Sequence, residues 1–253
     1  MRPLILITND DSINAPGIHH LARCAQTFGD VIVAAPENPH SGQSSAISVN
    51  TALRISEKHS DSDIRLFTVN GTPVDCVKLA LNAIVPRRPD FIFSGINHGS
   101  NSGNAIIYSG TMGAVIEGCT VGIPSVGFSL LSHAMNADFT LSTDLVNQAI
   151  AAVIENGLPD GIALNINIPA NVTPKGFKVC RAAQGHWSEE YKRYLDPMGS
   201  PFYWLTGRFV NEEPDATDTD EYWLAQSYAS VVPVAPDQTA LSAFPAITSI
   251  LPH

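Results

Sequence analysis

The chain has 253 residues, 44% apolar and only 15% charged, so it is neither disordered nor short of residues to build a core. With 24 acidic against 14 basic side chains its net charge is -10, which argues against a duplex nucleic acid partner held by phosphate neutralisation.

In chain order, Leu4 to Thr8 is a continuous apolar run, as expected of a strand buried on both faces. It is too short for a signal peptide, and Asp10 and Asp11 follow almost at once. Apolar Ile18, Leu21, Ala22, Ala25 and Phe28 recur at helical spacing from Pro16, and Gly29 ends that helix. Val31 to Ala35 is a second strand, and Pro36 opens a long polar loop through Ser45. Ile47 to Ile55 and Ile64 to Val69 read as extended, separated by a polar turn from Glu57 to Asp63. A helix is predicted over Thr72 to Ile84, then a buried strand at Phe91 to Phe93 ending in a turn at Ser94 to Asn97. A helix over Ser109 to Thr120, a strand at Pro124 to Phe128, a helix over Leu141 to Ile154 and a strand at Ile162 to Ile168 complete the alternation.

Strands alternating with helices predict an α/β fold: a Rossmann-like, mostly parallel sheet with helices on both faces. We place that core at residues 1–185. Residues 186–253 read as an extension rather than an independent domain, with a hairpin and a C-terminal arm. It carries aromatic strand-like pieces at Phe202 to Leu205 and Tyr228 to Val234, around an acidic loop from Glu212 to Glu221. No stretch approaches the ~20 apolar residues of a membrane helix. Cys24, Cys76, Cys119 and Cys180 are too scattered for a CxxC pair or a disulfide scaffold. Reduced thiols, no membrane partner and a cytoplasmic location are expected.

In open parallel sheets ligands bind beyond the carboxyl ends of the strands. Asp10 and Asp11 lie there after the first strand, Ser41 after the second and Asn97 after the Phe91 strand. These oxygen donors suit Mg²⁺, Mn²⁺ or Ca²⁺ rather than zinc. The plainer reading of the aspartates is helix capping and solvated loop charge. Both can serve one site only if the backbone has left the strand, because neighbouring strand residues face opposite sides. His40 and His98 flank the donors, as supporting groups or as ordinary loop histidines.

Two helix starts differ. Thr72-Pro73-Val74-Asp75 is close to a capping box, so that helix satisfies its own donors. Ser109-Gly110-Thr111 lacks the acid, and its free N–H groups would suit a phosphate. His19, His20, His59 and His133 share no spacing with acids or cysteines, and the aromatic group around Trp187 and Tyr191 reads as core or subunit interface.

Several segments together resemble one family, the survival protein SurE, a metal-dependent nucleoside monophosphate phosphatase. They include Thr8-Asn9-Asp10-Asp11, Ala15-Pro16-Gly17-Ile18, Ser41-Gly42, Gly71 to Cys76, Ser94-Gly95-Ile96-Asn97, Tyr108 to Thr111, Glu117-Gly118, Leu164 to Pro169 and Tyr228 to Val231. The resemblance implies one divalent cation, Mn²⁺ or Mg²⁺, on Asp10, Asp11, Ser41 and Asn97. It also implies a phosphate-binding segment at Asn101 and Ser109-Gly110-Thr111, to which we add Asn9. Asp10, Asp11 and Asn97 would carry catalysis on 5′- and 3′-nucleoside monophosphates, with short polyphosphate as a second substrate. The subunits would form a homodimer or homotetramer with exchanged C-terminal arms. A non-catalytic nucleotide or phosphate sensor on the same scaffold is the alternative. Departures from the family are Ser12 in place of its usual glycine, His98, Ser100 and Asn104. A serine is strained at position 12 if the backbone there needs positive φ.

Overall fold

The computed structural model describes residues 2–60, 62–134 and 136–251. Asp61, inside the expected 57–63 turn, and the last two residues of the expected arm lie outside them.

The chain runs β1 (Leu4–Thr8), α1 (Pro16–Gln26), β2 (Asp30–Pro36), β3 (Ile55–Lys58), β4 (Arg65–Val69), α2 (Pro73–Leu79) and β5 (Phe91–His98). It continues through α3 (Gly110–Thr120), β6 (Ser125–Leu130), α4 (Thr143–Asn156), β7 (Ala163–Ile168) and β8 (Phe177–Val179). Then come β9 (Gly185–Ser188), β10 (Tyr191–Leu195), β11 (Pro201–Leu205), β12 (Arg208–Asn211), α5 (Asp220–Ala225), β13 (Ala229–Val234) and α6 (Phe244–Ile250).

Among the described residues nine strands form one sheet in the order β3-β4-β2-β1-β5-β6-β7-β13-β8. The six from β4 to β7 are mutually parallel, β3 is an antiparallel edge, and β13 returns antiparallel to β7. Alternation along the central strands divides the core. Ile5, Ile7, Val31, Val33, Phe91 and Phe93 pack with Ile18 and Leu21 of α1 and Val146 and Ile150 of α4. Leu4, Leu6, Ile32, Ala34 and Ile92 pack with Val77 of α2 and Ala114 of α3. Both faces are therefore covered, which is why these strands are apolar without interruption. Strand order reverses between β1 and β5, so the crevice at their carboxyl ends is the place for a ligand.

Four elements differ from the sequence reading. Ile47 to Arg54 forms no strand, with Ile47 and Val49 exposed, and the edge strand is Ile55–Lys58. This short polar strand has only one neighbour, so its pattern carries little apolar signal. The 72–84 helix ends as α2 at Leu79 and finishes in a π-helical turn, Ala80–Ile84. β5 does not stop at Phe93: it continues to His98 through a bulge, where Ser94 faces Gly127 but Asn97 faces Ser129. The extra residue resets the alternation. Finally, the hairpin partner of β11 is β10, while Tyr228 to Val234 supplies β13 to the main sheet. Root strands β9 and β12 pair below the hairpin.

Among the described residues no helix is long and apolar enough to cross a membrane.

The β1–α1 loop carries the departure noted above. Ser12 is buried with φ 89°, inside the left-handed region that favours glycine. Its carbonyl accepts from Asn9 Nδ2 at 2.8 Å, so the loop holds the residue there. Replacing Ser12 with glycine should therefore raise stability by about 0.5–1 kcal/mol, the relieved strain exceeding the entropy lost by glycine. A lower thermal midpoint for S12G would contradict a strained loop.

Candidate functional site

β1 ends at Thr8, so the backbone has left the strand before the two aspartates. Asn9 closes the turn from within: it is fully buried, and its Oδ1 has no partner among the described residues. Asp10 is also buried and accepts a hydrogen bond from the Thr111 hydroxyl at 2.5 Å. Gly110 lets the start of α3 come this close, since a Cβ there would sit 2.8 Å from the Asp10 Cβ. The Asp10 carbonyl accepts the His40 N–H at 2.7 Å, tying the loop that carries Ser41 to the strand end. Asp11 is half-buried, and its Oδ2 accepts the His98 N–H at 3.0 Å.

The carboxyls are thus placed where negative charge is costly. Burial, then the neighbouring Asp11, pushes the Asp10 pKa up to about 6 against the opposing hydrogen bonds from Thr111. Burial also raises Asp11, opposed by the His98 N–H and by the charges of His98 and His133.

A cleft of about 250 Å³ opens above them, lined by Asp10, Ser41, Asn97, Asn101 and Ser109 among others. The β5 bulge brings Asn97 into it. Its Nδ2 donates to the Gly99 carbonyl at 2.9 Å, leaving Oδ1 without a donor among the described residues. Ser109 caps α3 by accepting the Met112 N–H at 3.1 Å, so its own hydroxyl proton is free for a ligand.

Asn101 is held by residues far along the chain. Its N–H donates to Asn167 Oδ1 at 2.7 Å, its Nδ2 to Ser129 at 2.8 Å, and its carbonyl accepts from Asn165 at 2.8 Å. Just beyond, Asp220 of α5 accepts the Gly103 N–H at 2.8 Å, and Glu221 accepts the Ser102 hydroxyl. The expected acidic loop therefore ends in a helix whose first acids fasten this segment.

Of the residues singled out from sequence, Asp10, Ser41, Asn97, Asn101 and Ser109 line one cleft, and Asp11 joins them through His98. Asn9, Gly110 and Thr111 stand behind it. The helix start expected to be free for phosphate is in part occupied, since Thr111 holds Asp10 and Ser109 takes the Met112 N–H. His133, Tyr108 and Trp187 also line the cleft, although sequence spacing assigns them no chemistry. The signal for Asn165 and Asn167 is two asparagines at alternate positions of a buried strand, which demands polar partners.

Among the described residues no three His, Cys, Asp or Glu side chains gather as a metal cluster. The available set is two desolvated carboxylates with the neutral oxygens of Asn97 and Ser41. That set fits a hard cation, whose charge would relieve the repulsion between the aspartates.

The raised Asp10 pKa has a sign that can be tested. A carboxyl whose folded pKa exceeds its unfolded value of 3.8 stabilises the fold best below that value, and the contribution is lost as pH rises through about 6. Metal-free D10N should therefore be more stable than metal-free wild type at pH 8, by about 2–3 kcal/mol. The gap should close toward pH 4. Parallel stability curves for the two proteins would contradict a costly buried charge.

The model for the family described as survival protein SurE matches residues 5–189. A 5′-nucleotidase SurE of Phocaeicola vulgatus is 46% identical over 239 residues, covering 94% of this chain and 93% of the relative. One of Christiangramia forsetii is 47% identical over 248 residues, with shares of 94% and 93%. The crystal structure of the SurE protein from Aquifex aeolicus matches with a TM-score of 0.84 at 33% identity, covering 98% of this chain and 99% of that one. The match in sequence spans the strand-end oxygens and the match in fold spans the sheet that presents them, and the chain belongs to the SurE family.

Proposed function

We propose that this protein is a metal-dependent phosphomonoester hydrolase that releases phosphate from nucleoside 5′- and 3′-monophosphates, with short polyphosphate as a second substrate. The observation that carries this reading is the pair of desolvated aspartates beside the Ser109 hydroxyl at the β1–β5 switch point. The names of the relatives support the nucleotide substrate.

Asp10, Asp11, Asn97 through Oδ1 and Ser41 through Oγ would hold one Mn²⁺ or Mg²⁺. A bound cation would supply Lewis-acid polarisation of phosphoryl oxygens and a lowered water pKa. Thr111 keeps the Asp10 carboxylate aimed, and Gly110 lets it lie against the start of α3. Asn101, the Ser109 hydroxyl and the N-terminal end of α3 hold the charge of the phosphoryl group. Asp10 or Asp11 orients the attacking water.

Phosphate release from a panel of nucleoside monophosphates tests this. Release should require Mn²⁺ or Mg²⁺, stop with EDTA and fall by about 100-fold or more in D10N, which keeps the volume and removes the charge. Monophosphate binding without release under any metal would replace the enzyme with a sensor.

The exchanged-arm oligomer is supported by two exposed apolar surfaces. Tyr203, Trp204 and Leu205 of β11 are each at least 60% exposed, and Phe244 and Ile250 of α6 are 56% and 72% exposed. Such surfaces are costly in an isolated subunit. Light scattering should give a dimer or tetramer mass, and a monomer at micromolar concentration would rule that assembly out.

A further inference from the structure

The cleft has a wall that phosphate chemistry does not use. Ala105, Tyr108 and Trp187 line it beside the polar residues. Tyr108 is 52% exposed and immediately precedes Ser109, so an aromatic ring stands next to the hydroxyl assigned to the phosphoryl group. Trp187 comes from β9, at the root of the hairpin.

Three ties fix that root to the 101–108 segment within one chain. Asn104 Nδ2 donates to the Gly185 carbonyl at 2.8 Å. Asp220 accepts both the Gly103 N–H and the Ala183 N–H at 2.8 Å. Phe209 of β12 packs on Gly103, where a Cβ would lie 2.7 Å from its Cζ. Phe209 also meets the Trp187 ring edge-on, with centroids 6.1 Å apart at 66°. The indole is thus braced on one side.

Its N–H is buried and has no acceptor among the described residues, so a small ring rotation onto a ligand would break no hydrogen bond. Among the described residues no Asp, Glu, Lys or Arg other than Asp10 lines the cleft, and its two histidines, His98 and His133, act on Asp11, so charge-assisted reading of one base has no further acid, lysine or arginine to draw on. Stacking on an aromatic face is different: every base offers a π-face, and the interaction tolerates changes of base.

We propose that Trp187, together with Tyr108, forms the nucleobase platform of this cleft and binds the base of the substrate by stacking. The proposal rests on the nucleotidase reading, but its test separates the two.

The test compares AMP with ribose 5-phosphate, which keeps the sugar and phosphate but has no base, on the Mn²⁺-loaded protein. In W187A the ratio of kcat/KM for AMP to that for ribose 5-phosphate should fall about tenfold, chiefly through the KM for AMP. W187F, which keeps a face for stacking, should recover most of the ratio. An unchanged ratio in W187A, whether both substrates suffer equally or neither does, would overturn the platform and leave Trp187 as a brace of the hairpin root. Calorimetric binding of the same two compounds is independent of turnover. Tighter AMP binding that is lost in W187A, with no phosphate released by wild type, would uphold the platform and remove the hydrolase. Equal binding of both compounds to wild type, with turnover intact, would do the reverse.

Discussion

A carboxylate buried at the end of a central strand is the constraint around which this molecule is arranged. Asp10 follows a strand covered on both faces, and its charged form is disfavoured by burial and by Asp11. Three features make its position tenable: the Thr111 hydroxyl, the positive end of α3 and the glycine that lets that end approach. The same three features place Ser109 beside the carboxylate. The elements that accommodate the negative charge therefore also build the place where a phosphate would be received. The energetic cost that remains is what a divalent cation would relieve.

A second layer of order comes from buried amides rather than from charge. Asn165 and Asn167 on β7 and Ser129 on β6 satisfy the backbone and side chain of Asn101. Asn167 Nδ2 also donates to Asn165 Oδ1 at 3.2 Å, but Asn165 Nδ2 and Asn167 Oδ1 would lose their bonds to Asn101 without the loop, and the loop would have no fixed path without them. Asp220 extends this order into the later part of the chain by taking two backbone N–H groups from segments separated in sequence. The hairpin root is consequently tied to the cleft, whereas the hairpin strands beyond it stand in solvent with their aromatic side chains exposed. One continuous ribbon thus offers a wall for the cleft at its base and an exposed apolar surface further out.

Much of this was legible from the amino-acid order. Runs such as Leu4 to Thr8 read as short strands buried on both sides, and their alternation with helical periodicity points to a mostly parallel sheet. Oxygen-bearing residues directly after those strands, at Asp10, Asp11, Ser41 and Asn97, are pointed to a common edge by that topology alone. The capping box at Thr72 and Asp75 is a local interaction and was equally readable. Ser12 stands out in the sequence only through the family resemblance, as a departure from its usual glycine, and its φ of 89° is a property of the folded loop.

Tertiary structure decided what depends on neighbours distant in sequence. The bulge that turns Asn97 into the cleft exists only because β5 pairs with β6, so its residues read as a turn when seen alone. Thr111 looked free for phosphate because its partner, Asp10, lies 101 residues away. Tyr228 to Val234 has a strand pattern but no mark of which sheet it joins, and the open antiparallel edge of β7 settles that. His133 and Trp187 carry no motif, and their place in the cleft follows from loop and hairpin packing. Periodicity and turn chemistry are short-range properties and survive in the sequence. Hydrogen-bond partners and desolvation are set by the packed environment and do not.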